Sequence, residues 1–221
     1  MTAVIFDMDG TLFQTDLILE WALEETFVKL RELEKWEKET PINLYRKIMG
    51  VPLPVVWETL LPNHPQEDRD FADKYFLDKL LVAIQTDQGA LYPNAKELLE
   101  KLACSGFQLF IASNGLTRYL QTIVDHYGLA EWITETFSIQ QIDSQNKSDL
   151  VRSILHKYNL NAGAVVGDRL SDILAAKDNH LKAIGCRFDF SDSEELAQAD
   201  YVVDDLMEAD QILYHLFVRN N

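Results

Sequence analysis

Short apolar segments, each followed by a polar cluster, constrain the fold of this chain most strongly. Residues 3–6 form a continuous apolar run that ends abruptly in acids, and similar runs occupy residues 107–112 and 164–166. An uninterrupted run of this length is typical of a strand that is buried on both faces. From Pro93 onward, predicted strands alternate with predicted helices, which favours a parallel sheet with helices on both faces. Ligands of such sheets bind at the carboxyl ends of the strands.

The segment between the first strand and Pro93 has a different pattern. Residues 15–88 show apolar side chains at helical spacing and no convincing strand. We therefore predict two domains: an α/β core formed by residues 1–14 and 89–221, and an all-helical insertion formed by residues 15–88.

The predicted elements follow from periodicity and from helix start and stop residues. In the insertion, one helix begins near Thr15 and is stopped by Pro41, a short one ends at Gly50, and two more cover residues 55–61 and 66–84. In the core, the remaining predicted helices lie at 95–103, 116–127, 148–158 and 171–178, and the remaining strands at 136–139, 181–186 and 201–203.

The charge balance excludes some partners. The chain has 36 acidic and 20 basic residues, a net charge of −16, and is a poor nonspecific partner for nucleic acid or an anionic membrane. A small anionic substrate is not excluded, because a bound cation can reverse the local sign. The sequence has neither a bilayer-length apolar stretch nor the pattern of a signal peptide. We expect a soluble, cytoplasmic protein, whose oligomeric state the sequence leaves open.

The two cysteines also narrow the class of protein. Cys104 and Cys186 lie far apart and form no CxxC pair, which excludes a disulfide scaffold and a cysteine-based zinc ribbon. We predict two reduced thiols in the core.

Two acids follow the first strand directly. Asp7 and Asp9 belong to the string DMDGT at residues 7–11. Residues i and i+2 of an extended chain project to the same side, so these carboxylates repel unless a cation lies between them or one is protonated. An ionised Asp can attack phosphorus, while a neighbouring Asp can protonate the leaving oxygen and then activate water. The alternative without a function is a strand that ends in a capped turn.

A second pair of acids follows the strand at residues 164–166. Asp168 and Asp172 are four residues apart, and both can face the end of the first strand if a helix begins between them. Carboxylate oxygens, with water and phosphate completing the shell, suit Mg²⁺. The alternative is that Asp168 or Ser171 caps the helix and Asp172 favours its positive end.

Three further polar residues are candidate phosphate ligands. Ser113 and Asn114 follow a predicted strand and precede a helix, where a hydroxyl, an amide and free backbone N–H groups can bind an anion. An ordinary helix N-cap is the competing interpretation. Lys147 stands just ahead of another helix and could neutralise phosphate and the crowded acids, although most lysines are solvated surface charges.

Taken in order, these groups resemble the haloacid dehalogenase superfamily in its Mg²⁺-dependent phosphatase branch. The family's first motif, DxDGT, is matched by residues 7–11, and its fourth, GDxxxD, by residues 167–172. Ser113 matches the second motif, with Asn114 a frequent neighbour, and Lys147 matches the lone lysine of the third. The resemblance covers nearly the whole chain. The insertion resembles the α-helical cap of phosphoglycolate phosphatase-like and β-phosphoglucomutase-like members.

The resemblance implies a fold and a set of roles. The fold is α/β, with a Rossmann-like three-layer core, a mainly parallel sheet and an inserted all-α cap. Asp7 would be the nucleophile and a Mg²⁺ ligand, and Asp9 the general acid and base whose backbone carbonyl binds the metal. Asp168 would bind the metal, and Asp172 would be a further ligand or a support. The side chains that hold the phosphoryl oxygens would be Ser113, Asn114 and Lys147.

The implied activity is Mg²⁺-dependent hydrolysis of a small phosphorylated metabolite through an aspartyl phosphate on Asp7. Asp9 argues against dehalogenase and phosphonatase chemistry, because those relatives lack an acid at this position. A phosphomutase of the β-phosphoglucomutase type would keep all four motifs and is an alternative. A catalytically idle protein that binds phosphate or metal is another. The chain departs from many capped members in one respect, because Ser148 rather than proline follows Lys147.

Overall fold

The computed structural model describes residues 2–48, 51, 53–189 and 191–219. The chain divides into two compact units, one formed by Met1–Gln14 and Leu91–Asn221 and the other by Thr15–Ala90. Among the described residues, none of the helices combines the length and the apolar character of a bilayer-spanning segment.

The first unit is built on a six-stranded sheet in which every pair of neighbouring strands is parallel. The strands are β1 (Ala3–Phe6), β2 (Gln108–Ser113), β3 (Ile133–Ser138), β4 (Gly163–Gly167), β5 (Lys182–Cys186) and β6 (Tyr201–Val203). Their spatial order is β3-β2-β1-β4-β5-β6. The central strand β1 is buried along its whole length, as its unbroken apolar sequence predicts.

The second unit, Thr15–Ala90, is helical throughout its described elements. These are α1 (Asp16–Glu32), α2 (Ile42–Lys47), α3 (Leu53–Leu60) and α4 (Gln66–Gln85). The long helices α1 and α4 pack against each other. Leu23, Phe27 and Leu30 recur at three or four residues on α1 and are buried, as are Phe76 and Leu80 on α4. Burial of these apolar stripes holds the helices together.

The core helices follow the strands in turn. They are α5 (Ala95–Cys104), α6 (Thr117–Tyr127), α7 (Lys147–Tyr158), α8 (Leu170–Asp178), α9 (Ser193–Leu196) and α10 (Leu206–Phe217). The chain moves from β1 through β2 to β3 toward one edge of the sheet, and from β4 through β5 to β6 toward the other. Because parallel crossovers are right-handed, this reversal places helices on both faces. The expected Rossmann-like core with a parallel sheet is confirmed.

One apolar layer fixes α7 and α8 on the sheet. Ile5, Phe110 and Val165 from three adjacent strands pack in one cluster with Leu150 of α7 and Ile173 of α8. Alternate residues of each strand face this layer, which is the period-two pattern of a sheet. The layer therefore sets where α7 and α8 begin relative to the ends of β1 and β4.

The first helix of the second unit ends earlier than the sequence predicts. It ends at Glu32, whereas the prediction extended it to Pro41. Beyond this end, Lys35 forms an ion pair with Asp68 of α4. The Trp36 ring packs edge-on against the Phe27 ring of α1, with the two ring centroids 5.0 Å apart. These tertiary contacts override a run of residues that are good helix formers.

The other helices and strands begin and end closer to their predicted bounds, but two helices have no predicted counterpart. Strand β3 begins three residues before its predicted start, and α9 and α10 were not predicted. The predicted helix end at Gly50 lies outside the described residues. Both cysteines are free, but Cys104 is exposed, so the prediction of a core thiol is wrong there and right for the buried Cys186.

Burial in the layer between the sheet and α7 predicts a specific loss of stability. Leu150 is fully buried, whereas Leu174 of α8 is 42% exposed. We expect Leu150→Ala to lower the free energy of unfolding by about 2–5 kcal/mol, through lost transfer energy and the cavity left behind. Leu174→Ala should change it by about 0.5 kcal/mol or less. Urea unfolding followed by circular dichroism measures both, and equal losses would contradict the assigned core.

Candidate active site

The carboxyl ends of β1 and β4 place the first two acids side by side. Phe6 is in register with Val166, and the Asp7 backbone N–H donates to the Val166 carbonyl at 2.9 Å. Asp7 and Asp168 each follow their strand directly. This is the point where the strand order reverses, the usual ligand position in an open parallel sheet.

Three carboxylates form a buried cluster at this point. Asp7, Asp168 and Asp172 each offer one oxygen, and these oxygens all lie within 4.8 Å of one another. Burial, with the neighbouring charges of Asp7 and Asp172, raises the pKa of Asp168 well above its usual value. Burial likewise raises the pKa of Asp172 to about 6, with Asp7 adding to the effect and Lys147 opposing it. The cluster is thus short of positive charge.

Two glycines make room for this crowding. Gly10 has a φ of +72°, and a Cβ there would lie 2.5 Å from Oδ2 of Asp168. A Cβ on Gly167 would lie 2.2 Å from Cγ of Asp172. Thr11 adds a hydrogen bond from its hydroxyl to Oδ1 of Asp168 at 3.3 Å. The close approach of the carboxylates therefore requires glycine in both acidic motifs, and at Gly10 the positive φ requires it as well.

Lys147 supplies a positive charge to the cluster. Its Nζ lies 2.9 Å from Oδ1 of Asp7 and 2.5 Å from Oδ1 of Asp172, and its side chain is 3% exposed. Burial opposes the charge, but the carboxylates of Asp172 and Asp7 outweigh it and hold the pKa of the ammonium group above its usual value. The interpretation of Lys147 as a solvated surface charge is wrong, because α7 delivers its first residue into the site.

Hydrogen bonds fix the start of α7 where many capped relatives have a proline. Asn146 caps the helix by accepting the Ser148 N–H at 2.8 Å. The Ser148 hydroxyl donates to Asp178 at 2.7 Å, and the Ser148 carbonyl accepts from the Asn179 amide at 2.9 Å. These bonds tie the first turn of α7 to the end of α8 and so position Lys147 without a proline.

Asp9 lies close to the cluster in sequence but has a different environment. Its Oδ1 accepts a hydrogen bond from the Tyr119 hydroxyl at 2.6 Å, and the residue is half-buried. The group of three clustered acids does not include Asp9. The predicted contact of its backbone carbonyl with a metal stays a prediction.

Ser113 is the last residue of β2, and Asn114 begins the loop that follows it. Ser113 is buried, and its Oγ accepts the Gly115 N–H at 3.0 Å, whereas Asn114 is exposed. The helix α6 begins only at Thr117, whose N–H donates to Oε1 of Gln140 at 2.9 Å. The N-cap interpretation of Ser113 and Asn114 is therefore wrong, because both precede the helix by several residues.

The start of α8 differs from the predicted alternative in which Asp168 or Ser171 caps the helix. The N-cap position is Arg169, and Oδ2 of Asp172 accepts its backbone N–H at 3.1 Å. Neither Asp168 nor Ser171 caps the helix. Asp172 thus has two contacts: one oxygen supports the helix start, and the other faces Lys147.

Sequence reasoning missed Tyr119, Thr11 and Gln140. Thr11 stands inside the first motif, so its hydrogen bond to Asp168 could have been suspected. Tyr119 reaches Asp9 from α6, and Gln140, in the segment after β3, binds the backbone at the start of α6; no local pattern marks either contact. Only the tertiary fold brings them there.

The fold is that of a Rossmann-like α/β protein with an acidic site at the carboxyl ends of its central strands, and comparison with known proteins assigns the class. The chain belongs to the haloacid dehalogenase-like hydrolase family, whose model matches residues 1–180. It is 26% identical over 123 residues to a phosphoglycolate phosphatase from Vibrio parahaemolyticus, covering 53% of this chain and 54% of that one. The chain thus spans about half the length of this relative.

Other similarities extend over nearly the whole chain. A Clostridium perfringens protein assigned as the pyrophosphatase PpaX is 26% identical over 213 residues, covering 93% of this chain and 94% of the relative. The crystal structure of a predicted phosphoglycolate phosphatase from Haemophilus somnus superposes with a TM-score of 0.84 at 21% identity, covering 96% of this chain and 97% of that one. The structural likeness shows the fold.

The burial of Lys147 predicts that its charge matters for stability. In the absence of divalent cations, Lys147→Met should lower the free energy of unfolding by about 3–5 kcal/mol, because it leaves buried carboxylates uncompensated. Lys157→Met is the matched control, since Lys157 is 53% exposed and pairs with Glu135 at the surface. That variant should lose about 1 kcal/mol or less. Urea unfolding in EDTA measures both, and similar losses would contradict the assignment.

Proposed function

We propose that the protein is a Mg²⁺-dependent phosphatase that hydrolyses small phosphorylated metabolites through an aspartyl phosphate on Asp7. The observation that carries this proposal is the buried contact of Asp7 with Lys147 beside Asp168 and Asp172. An anionic nucleophile held against a cation, among further carboxylates, suits a reaction that needs alignment and charge neutralisation.

The side chains would act in two steps. Asp7 attacks phosphorus while the bond to the leaving oxygen breaks, and Asp9 gives its proton to that oxygen, so that an alcohol leaves. Asp9, now a carboxylate, takes a proton from water as the water oxygen attacks the same phosphorus. The bond between phosphorus and the Asp7 carboxylate then breaks, which releases inorganic phosphate and restores Asp7.

The phosphoryl oxygens would be held by Lys147, Ser113 and Asn114. Lys147 already carries its charge beside Asp7, so a phosphoryl group on Asp7 would lie next to it. The exposed Asn114 amide can donate to a substrate oxygen, while the buried Ser113 shapes the loop through Gly115. These groups would orient the substrate for in-line attack.

The acid cluster fits a divalent cation. Its three buried oxygens lie within 4.8 Å of one another, and carboxylate oxygens are the ligands that a hard cation such as Mg²⁺ prefers. The raised pKa of Asp168 and of Asp172 indicates a missing positive charge. Asp7, Asp168 and Asp172 would hold the ion, with the Asp9 carbonyl as a fourth ligand. When bound, Mg²⁺ would neutralise phosphoryl oxygens.

The substrate class follows from the relatives and from the position of the helical unit in the chain. Two relatives carry names that refer to phosphoglycolate and pyrophosphate, which are both small anions. The helical unit leaves the core after Gln14 and returns at Leu91, where the Gln14 amide donates to the Leu91 carbonyl at 2.7 Å. The outgoing connection thus begins five residues after Asp9, and this hydrogen bond joins it to the returning one. We propose that this unit is a cap that limits substrates to small esters.

The proposal predicts metal-dependent phosphate release. A panel containing phosphoglycolate, pyrophosphate, sugar phosphates and nucleoside monophosphates would be assayed with Mg²⁺ and with EDTA. We expect release with Mg²⁺, none with EDTA, and loss of about 10³-fold or more in Asp7→Asn, which removes the nucleophile. Asp125→Asn is the control, because Asp125 is exposed on α6 and bonded to Gln121.

Each other outcome has a defined meaning. Full activity in EDTA would contradict the metal assignment, and full activity of Asp7→Asn would contradict the nucleophile. Interconversion of sugar phosphate isomers without net phosphate release would identify a phosphomutase. Binding of Mg²⁺ and phosphate without turnover of any ester would identify an idle binding protein.

Metal binding is also testable without catalysis. At a Mg²⁺ concentration about 100 times Kd, the native chain should gain about 2.7 kcal/mol of stability, which raises the melting temperature by several degrees. Asp168→Asn should abolish most of this gain, whereas Asp125→Asn should keep it. Thermal melting with and without Mg²⁺ measures the gain, and an equal shift in Asp168→Asn would contradict the proposed ligand set.

A further inference from the structure

Tyr119 makes a contact with Asp9 that none of the four motifs accounts for. Its hydroxyl donates to Oδ1 of Asp9 at 2.6 Å, and the tyrosine itself is 5% exposed. The two residues are 110 positions apart, so the contact exists only because α6 begins beside the end of β1. A hydrogen bond to a carboxylate at this distance is short and strong.

We propose that Tyr119 is a positioning residue for the acid and base Asp9, an inference that rests on the proposed function. A carboxylate on a turn can rotate about its side-chain bonds, and a donor on one oxygen removes that freedom. Because the phenol donates to Oδ1, a proton carried by Asp9 is placed on Oδ2. One oxygen is thereby assigned to orientation and the other to proton transfer.

The loop after β2 is shaped to admit the Tyr119 ring. A Cβ on Gly115 would lie 3.2 Å from Cδ1 of Tyr119 and 3.0 Å from Cδ2 of Leu120, both tighter than ordinary contact. The Gly115 carbonyl accepts the Ser138 hydroxyl at 2.6 Å, which holds the loop from β3. The glycine thus lets the first turn of α6 lie against the loop and brings the phenol to Asp9.

The placement has a chemical consequence for both steps of the reaction. Asp9 must first protonate a leaving oxygen and then deprotonate a water on the same side of the phosphorus. A carboxylate held in one orientation can serve both without rearranging, which is the advantage of a preorganised group. In this role Tyr119 acts on the reaction through the Asp9 side chain.

The matched variants are Tyr119→Phe and Tyr158→Phe. Tyr158 also donates its hydroxyl to a carboxylate, Oε2 of Glu135, at 2.6 Å, but it is the last residue of α7, at the opposite end of that helix from Lys147. Each substitution keeps the ring and removes one hydroxyl. A general effect of losing a tyrosine–carboxylate bond would therefore appear in both variants.

The reaction with p-nitrophenyl phosphate separates the two steps. Its leaving group needs little protonation, so the burst of p-nitrophenol reports attack by Asp7, and the following steady rate reports hydrolysis of the aspartyl phosphate. We expect Tyr119→Phe to keep the burst and kcat/KM but to slow the steady rate about tenfold, with KM falling in proportion, a part of the 10²–10⁴-fold that acid–base catalysis contributes. With an alkyl phosphate, the first step should slow as well. Tyr158→Phe should behave as the native chain.

A double-mutant cycle with Asp9→Asn decides how Tyr119 acts. If it acts through Asp9, Tyr119→Phe should change the residual rate of aspartyl phosphate hydrolysis in Asp9→Asn by about twofold or less, which is within the usual scatter of such cycles. An equal tenfold loss in both backgrounds would overturn the proposal and identify a general structural role. An unchanged steady rate in Tyr119→Phe alone would overturn it too. A native chain that hydrolyses no ester would overturn the proposed function along with this inference.

Discussion

The confinement of three carboxylates with one ammonium group at the end of β1 is the constraint that the rest of the site satisfies. Asp7, Asp168 and Asp172 are each less than a tenth exposed, and Lys147 is the cation that contacts two of them. Such an arrangement is costly for folding, because burial penalises each charge and like charges repel. The arrangement is tolerable when a second cation compensates the excess negative charge. The repulsion that destabilises the unliganded cluster therefore favours binding of a divalent ion.

The sheet topology explains why the cluster forms between β1 and β4. The strand order reverses there, so the connections leave in opposite directions and open a crevice at the carboxyl edge. Strand ends are rigid, and α7 and α8 are fixed on one apolar layer. Lys147 and Asp172, in the first turns of these helices, are therefore delivered to defined positions, which a loop could not hold as firmly.

Much of this architecture could be predicted from the sequence, because it depends on local patterns. Unbroken apolar runs predicted the central strands, and the parallel α/β core was confirmed. What could not be predicted depends on distant contacts. The end of α1 at Glu32 depends on packing against α4, and α10 was missed although Leu206, Ala209 and Leu213 recur at helical spacing and Asp205 caps it. For the site, the motifs marked the acids, but the contacts made by Tyr119 and Gln140 required the tertiary structure.

The two aspartates of the first motif illustrate how one short string can supply two chemical roles. Asp7 is buried beside the ammonium group of Lys147, where the proposal places the nucleophile. Asp9 is two residues further along, beyond the strand, half-buried, and bonded to a neutral phenol. Environments that differ this much are what separate an anionic nucleophile from a group that must carry and release a proton. In the proposed mechanism, Lys147 contacts the nucleophile Asp7 and Tyr119 contacts the acid and base Asp9, so each aspartate of the pair is oriented by a side chain from a different helix.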